Sequence, residues 1–184
     1  MNILVVGGAG YIGSHMVKCL GKNGHEVVTY DNLSEGHRGA VTHGLFVEGD
    51  LQDRPLLTKV LRNHQIDAVI HFAASALVGE SVQNPAKYYQ NNVVATFSLL
   101  EAMREAEVSK IVFSSTCATY GQPQVIPITE RESQSPVNPY GFTKLVIERM
   151  LADYSNAYGI GYAAKRYFIA SGAPPLGDMG EDDD

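Results

Sequence analysis

Ile3-Leu4-Val5-Val6-Gly7-Gly8-Ala9-Gly10-Tyr11-Ile12-Gly13 reads as an apolar strand, a glycine-spaced turn and the start of an amphipathic helix. Unpaired backbone N–H groups and the positive end of a helix dipole converge at such a turn, which makes it a seat for a dinucleotide's pyrophosphate. In this G-x-x-G-x-x-G spacing Gly7 permits the tight turn and Gly10 lets the backbone approach the phosphates. Gly13 lets helix and strand pack closely. Glycines also mark ordinary turns. Here the strand before, the helix after, and Asp31 at the end of the next strand, Val27-Val28-Thr29-Tyr30, favour the binding reading. A carboxylate in that place can take the adenosine ribose hydroxyls.

Outward from this unit, β-branched apolar runs alternate with helical patterns. The predicted strands are 2–6, 26–30, 44–48, 67–72, 110–114 and 161–167, with helices near 11–22, 53–64, 86–106 and 139–158. The connection 31–43 reads as loop. Such alternation predicts an α/β fold, a Rossmann-type doubly wound parallel sheet with helices on both faces. Asp67-Ala68-Val69-Ile70-His71-Phe72 is nearly continuously apolar, as a strand buried on both sides should be. Ligands of such sheets sit at the carboxyl ends of the strands. The residues to inspect are therefore Asp31, Asp50, Ala73-Ala74-Ser75, Ser114-Ser115-Thr116 and those after Tyr167. The predicted division is a dinucleotide-binding domain over 1–170 and an acidic, turn-rich tail over 171–184, expected to be poorly ordered.

The 184 residues are 45% apolar and 18% charged, a soluble globular composition. The net charge is −6, but Glu181-Asp182-Asp183-Asp184 carry four of those charges, leaving a nearly neutral body. No basic stripe marks a nucleic-acid surface, so no nucleic-acid partner is expected. Cys19 and Cys117 lack a C-x-x-C spacing and the six histidines follow no zinc pattern, so no metal is expected. With no apolar run of membrane length and no charged segment ahead of the first apolar run, the expectation is a reduced, cytoplasmic protein without a membrane partner.

Tyr140-Gly141-Phe142-Thr143-Lys144 sits on a helix starting after Asn138-Pro139. Residues four apart share one helix face, so phenol and ammonium can point into one site. A tyrosine with an ordinary pKa of about 10 needs its phenolate favoured by about 4 kcal/mol to act as a base near pH 7. A nearby Lys⁺ and a positively charged nicotinamide ring both act in that direction. Read alone, the same spacing fits an amphipathic tyrosine beside a solvated lysine. Ser114-Ser115-Thr116 follows the strand Lys110-Ile111-Val112-Phe113 and could bond a substrate oxygen and relay its proton to Tyr140, or cap its own backbone. Asp50 could meet an adenine amino group or cap the next helix, for which Asp53 is better placed. Asn91 and Asn92 are poor helix formers that could bond neighbouring strand ends or a cofactor.

Together these motifs resemble the extended short-chain dehydrogenase/reductase family, in its UDP-hexose 4-epimerase branch. The likeness runs from Gly7–Gly13 through Tyr30-Asp31-Asn32-Leu33-Ser34, Gly49-Asp50-Leu51, His71-Phe72-Ala73-Ala74 and Val78-Gly79-Glu80-Ser81-Val82. It continues through Tyr88-Tyr89-Gln90-Asn91-Asn92-Val93, Ser114–Gly121 and Asn138–Lys144. The resemblance implies NAD-dependent interconversion of UDP-glucose and UDP-galactose through a 4-keto sugar. Tyr140 would be the base on the sugar 4-hydroxyl, Lys144 would hold the nicotinamide ribose and lower the tyrosine pKa, and Thr116 would assist at the substrate. The cofactor-contacting positions would be Gly7, Gly10, Tyr11, Ile12, Gly13, Asp31, Asn32, Leu33, Ser34, Glu35, Gly36, Asp50, Leu51, Phe72, Ala73, Ala74, Asn91, Tyr140, Lys144 and Phe168. Asp31 favours NAD over NADP by repelling a 2′-phosphate. Cys117 and Ala118 stand where the related dehydratases carry an acidic pair, which argues against dehydration. Helices near 86–106 and 139–158 match the family's subunit contact, leaving a homodimer open.

Three departures shape the expectations. The family's carboxyl-terminal lobe, which grips the sugar nucleotide, is largely missing after Asp184. Ile169 stands in place of an asparagine that bonds the substrate diphosphate, a loss of about 1–3 kcal/mol. Lys165 occupies a strand position that is usually apolar, where an unpaired buried ammonium would be costly unless its stem snorkels. A truncated or degenerate copy is the expectation, with a catalytically silent NAD-binding module, or an epimerase for another UDP-sugar, as alternatives. An intact mass from the native source tests the first of these.

Overall fold

The computed structural model describes residues 1–172. Six strands run in chain order as β1 Asn2–Val6, β2 Glu26–Asp31, β3 Leu45–Glu48, β4 Ala68–His71, β5 Lys110–Thr116 and β6 Gly161–Tyr167. They form one sheet in the order β3-β2-β1-β4-β5-β6, and every neighbouring pair is parallel. The order reverses between β1 and β4, and the crevice opens there at the strands' carboxyl ends. The expected α/β doubly wound sheet is what the chain forms.

The helices are α1 Tyr11–Lys22, α2 Arg54–Asn63, α3 Val78–Gln83, α4 Pro85–Tyr88, α5 Ala95–Glu105 and α6 Pro139–Tyr158. One core joins Leu4, Val6, Val28, Val69 and Phe113 of the sheet to Leu57 and Leu61 of α2, Leu99 and Met103 of α5, and Ile147 and Leu151 of α6. On the opposite face Ile3, Val5 and Val27 pack on Val17 of α1. Alternate residues of β1 therefore serve the two cores, which explains why that strand is apolar throughout. Asp53 caps α2 by accepting from the Leu56 N–H, as its position predicts, and Asn138 caps α6 through the Gly141 N–H.

The predicted helix over 86–106 is three pieces: α4, a π-helical stretch Tyr89–Val94, and α5. The short α3 was not predicted; six residues carry too little periodicity to reveal it. Lys165 is exposed on the sheet's last strand, so the feared buried ammonium does not arise. The expectation of poor order over 171–184 falls mostly on 173–184, outside the described residues. Among the described residues no helix is long and apolar enough to cross a membrane, and no group of His, Cys, Asp or Glu gathers as a metal site. Cys19 and Cys117 are free thiols.

Candidate functional site: a cleft at the switch point and a tyrosine–lysine cluster beside it

The glycine turn is held by its neighbours. Gly7 has φ +76°, and a Cβ on it would strike the backbone of Ala73. A Cβ on Gly13 would strike the Gly7 carbonyl and lie 2.8 Å from the Gly8 Cα. Gly10 differs, since a Cβ there would meet only the Gly7 oxygen, at an ordinary 3.6 Å. Nothing in the chain itself requires glycine at that position; the open space lies on the cleft side. The α1 N-terminus has no side-chain cap, unlike α2 and α6, and no acidic residue lies in its first turn. Its first N–H groups have no intrahelical acceptor by geometry and are available to an anion.

Asp31 closes the turn from β2. One carboxylate oxygen accepts from the Ala9 N–H at 2.9 Å and the other from the Leu33 N–H at 2.9 Å. Leu33, at φ +59°, turns the chain so that Asn32, Ser34, Glu35 and Gly36 line the cleft. Gly7, Gly10 and Asp31 line it as well, with Asp50 and Leu51 after β3, and Phe72, Ala73, Ala74 and Asn91 along the opposite wall. Asp50 is anchored by the Asn32 amide at 2.9 Å and by the Gln52 N–H at 2.8 Å. Val6, Tyr30, Gly49 and Ala95, which the sequence did not single out, complete the lining.

Not every candidate reaches this cleft. Leu33 gives it shape rather than surface. Gly13 packs beneath the turn. The side chains of Tyr11 and Ile12 face a separate groove with His15, Tyr167 and Ile169. Phe168 is 59% exposed on the rim of a third groove, near Glu148 and Arg166. It follows β6, two strands beyond β4 in the sheet, and does not line the cleft.

Tyr140, Lys144 and Thr116 gather at the carboxyl end of β5, the strand next to β4. The Thr116 hydroxyl caps its own turn by accepting from the Ala118 N–H at 3.1 Å, and it lies near enough to the Tyr140 phenol to favour its ionised form. The backbone-capping reading of this hydroxyl is the one the chain shows. Lys144 is fully buried, and its Nζ donates to the Ser114 carbonyl at 2.9 Å. Burial lowers its pKa from 10.5 to about 7. The expected lowering of the Tyr140 pKa is not what the chain alone provides. Burial raises it, the Thr116 hydroxyl opposes this, and the Cys117 thiol adds to the rise. The sequence reading credited Lys144 with a full charge and left out desolvation.

The cleft and the cluster are physically tied. Asn92, buried in the π-helical stretch, accepts from the Ser75 N–H at 2.9 Å and donates to the Ser75 carbonyl at 3.0 Å and the Thr143 hydroxyl at 3.1 Å. Asn91 donates to the Ser75 hydroxyl at 3.0 Å. The two asparagines bond the segment after β4, one of the uses foreseen for them, and join it to α6 beside Lys144. A further clamp holds β6. Arg166 donates to both Glu148 oxygens and to the Tyr120 hydroxyl, while Ser115 and Gln134 also donate to Glu148. Sequence reading missed this group; a Glu and an Arg in separate elements carry no local signal.

Residues 3–181 match the NAD dependent epimerase/dehydratase family. A UDP-glucose 4-epimerase of Halalkalibacterium halodurans is 54% identical over 182 residues, which are 99% of this chain and 54% of that protein. The chain thus spans about half the length of the curated relatives it matches. The crystal structure of a UDP-glucose 4-epimerase from Brucella ovis in complex with NAD superposes with a TM-score of 0.97 at 57% identity, over 98% of this chain and 56% of that one. The Bifidobacterium longum enzyme in complex with NAD+ and UDP gives 0.94 at 37% identity, over 99% and 57%. With residues 3–181 of its 184 matched by the family model, the chain belongs to the NAD-dependent epimerase/dehydratase family.

Proposed function

We propose that this chain carries the cofactor cleft and proton-transfer residues of a UDP-glucose 4-epimerase, which interconverts UDP-glucose and UDP-galactose. The carrying observation is the placement of Tyr140, Thr116 and Lys144 at the end of β5, tied by Asn92 to the wall of the switch-point cleft. The open side of Gly10 and the uncapped start of α1 suit a diphosphate, and Asp31 suits a ribose diol. NAD bound there would supply the hydride acceptor, then donor, and a positive charge near the phenol.

The chain's own residues do the rest. Tyr140 takes the proton of the sugar 4-hydroxyl as C4 is oxidised to the ketone, and returns it when C4 is reduced on the opposite face. Thr116 bonds the same oxygen region and offsets part of the burial that keeps the phenol protonated. Lys144, with a pKa of about 7, carries a partial charge at neutral pH and favours the phenolate. Cys117 and Ala118 offer no acid to expel a 6-hydroxyl, so the reaction stops at epimerisation. The test is conversion of UDP-galactose to UDP-glucose by the purified chain, with Tyr140→Phe as the blank. Activity abolished by that change supports the reading. A folded, NAD-loaded chain without turnover sinks it.

That second outcome is the runner-up, an NAD-binding module silent on its own, and the exposure of Phe168 at 59% and Ile169 at 84% favours it. Exposed Tyr89, Val94, Phe97 and Phe142, with Tyr89 and Phe142 in edge-to-face contact, support a homodimer across the α5–α6 face. Sedimentation of the purified chain tests this, and a monomer at micromolar concentration refutes it. A cytoplasmic location completes the proposal; fractionation of the source cells checks it.

A further inference from the structure

We propose that the Phe113 ring is a positioning residue that holds the Lys144 ammonium over its face and keeps it charged beside Tyr140. Lys144 is 2% exposed and has no ion pair with a carboxylate among the described residues. Its Nζ has the Ser114 carbonyl on one side and the Phe113 ring on another, 4.8 Å from the ring centroid. The negative face of an aromatic ring attracts a desolvated cation at this range. Phe113 is itself 1% exposed, and its orientation is set from β4. His71 is its register partner across the β4–β5 ladder, and the two rings lie 5.6 Å apart at 39°. His71 is fixed in turn by the Thr96 hydroxyl at 2.9 Å.

The other groups around Lys144 do not replace the ring. From β4, His71 stays neutral near pH 7, because burial and Lys144 itself hold its pKa down to about 3. From α6, the Tyr140 ring lies 5.9 Å away and its phenol is protonated in the free chain. Glu148, one turn further along α6, is engaged by Arg166. Beyond β5, Cys117 acts on Tyr140. With burial bringing the lysine close to neutrality, the ring face weighs directly on how much charge it keeps.

This deepens the proposed function and rests on it only for the use to which Lys144 is put. The test replaces Phe113 alone by 4-fluoro-, 3,5-difluoro- and trifluorophenylalanine, which weaken the ring's negative face with little change in volume. The readout is the pH titration of the Lys144 13Cε resonance, identified by its absence in Lys144→Met, with neither cofactor nor sugar present. The titration midpoint should fall stepwise along the series, by roughly one pH unit in all. Phe113→Leu should lower it at least as far; if that variant does not fold, the fluorinated series decides. A midpoint that stays put across the series overturns the inference and leaves the UDP-sugar reading standing, since that depends on the Tyr140→Phe comparison.

Discussion

Gly10→Ala and Gly13→Ala separate binding from folding within one turn. At Gly13 the added methyl group collides with the Gly7 carbonyl and the Gly8 Cα, both backbone and unable to yield. Overpacking of this kind costs about 1–3 kcal/mol or more. At Gly10 the backbone is at φ −80° and ψ 176°, comfortable for alanine, and the nearest atom is 3.6 Å from the new Cβ. Only the weaker N-cap tendency of alanine opposes it, at about 0.5–1 kcal/mol. The Gly10 methyl group instead occupies the approach to the α1 N-terminus. Losing one charge-assisted bond to a diphosphate there costs about 1.5–3 kcal/mol, roughly ten- to hundredfold in affinity. Urea unfolding and calorimetric titration with NAD report the two quantities separately. Gly10→Ala should melt nearly as the parent and bind NAD weakly, whereas Gly13→Ala should be destabilised before binding is considered. Parent-like NAD affinity in Gly10→Ala would refute the assignment of that open space to the cofactor.

Glu148→Ala should lower unfolding free energy by about 3 kcal/mol, because it strands Arg166, 23% exposed, and the Ser115 hydroxyl; Glu148→Gln should recover part of it. Burial pushes the Glu148 pKa up, but bonds from Arg166, Ser115 and Gln134 prevail and hold it below the ordinary range. Its contribution is therefore present above the unfolded carboxyl pKa and lost as pH falls through the lower folded value, a loss that acid titration should show blunted in Glu148→Gln. Lys144 has the same sign in a higher window and from a different cause: burial lowers its pKa, so folded it binds fewer protons than unfolded between pH 7 and 10.5 and makes stability rise with pH there. Urea unfolding from pH 7 to 9 should show this rise in the parent and not in Lys144→Met, and equal slopes would refute it. Asn92→Ala should cost about 2–3 kcal/mol by leaving the buried Ser75 N–H and carbonyl unpaired, and NAD affinity should drop with it in the same calorimetric assay.

The strands were legible because burial on both faces leaves an unbroken apolar record, as in Leu4-Val5-Val6 and Val69-Ile70. Helix ends were legible where a capping residue announces them, as at Asp53 and Asn138. The break in 86–106 was not, because Asn91 and Asn92 are adjacent in sequence yet both bond Ser75, a geometry decided by a loop sixteen or more residues earlier. Gly7, Gly10, Asp31 and Asp50 could be read from spacing and strand ends, whereas Glu35 and Gly36 followed only from the family resemblance. Phe168 could not be placed, since its distance from the crevice depends on strand order. The direction of the Tyr140 shift was misread for a related reason: charge is written in the sequence, whereas the depth at which a phenol is buried is a property of the assembled fold.

Asp31 has one more consequence. Its carboxylate is the group expected to prefer a free ribose hydroxyl over a phosphorylated one, yet both its oxygens already tether the backbone at Ala9 and Leu33. Selectivity and architecture thus share one side chain. A designer who exchanges it for a small or basic residue to widen coenzyme choice also unfastens the loop that cradles the coenzyme. Retuning such a site calls for a second change that restrains Ala9 and Leu33 by other means, so its specificity can drift only along paths on which the turn is first made self-supporting.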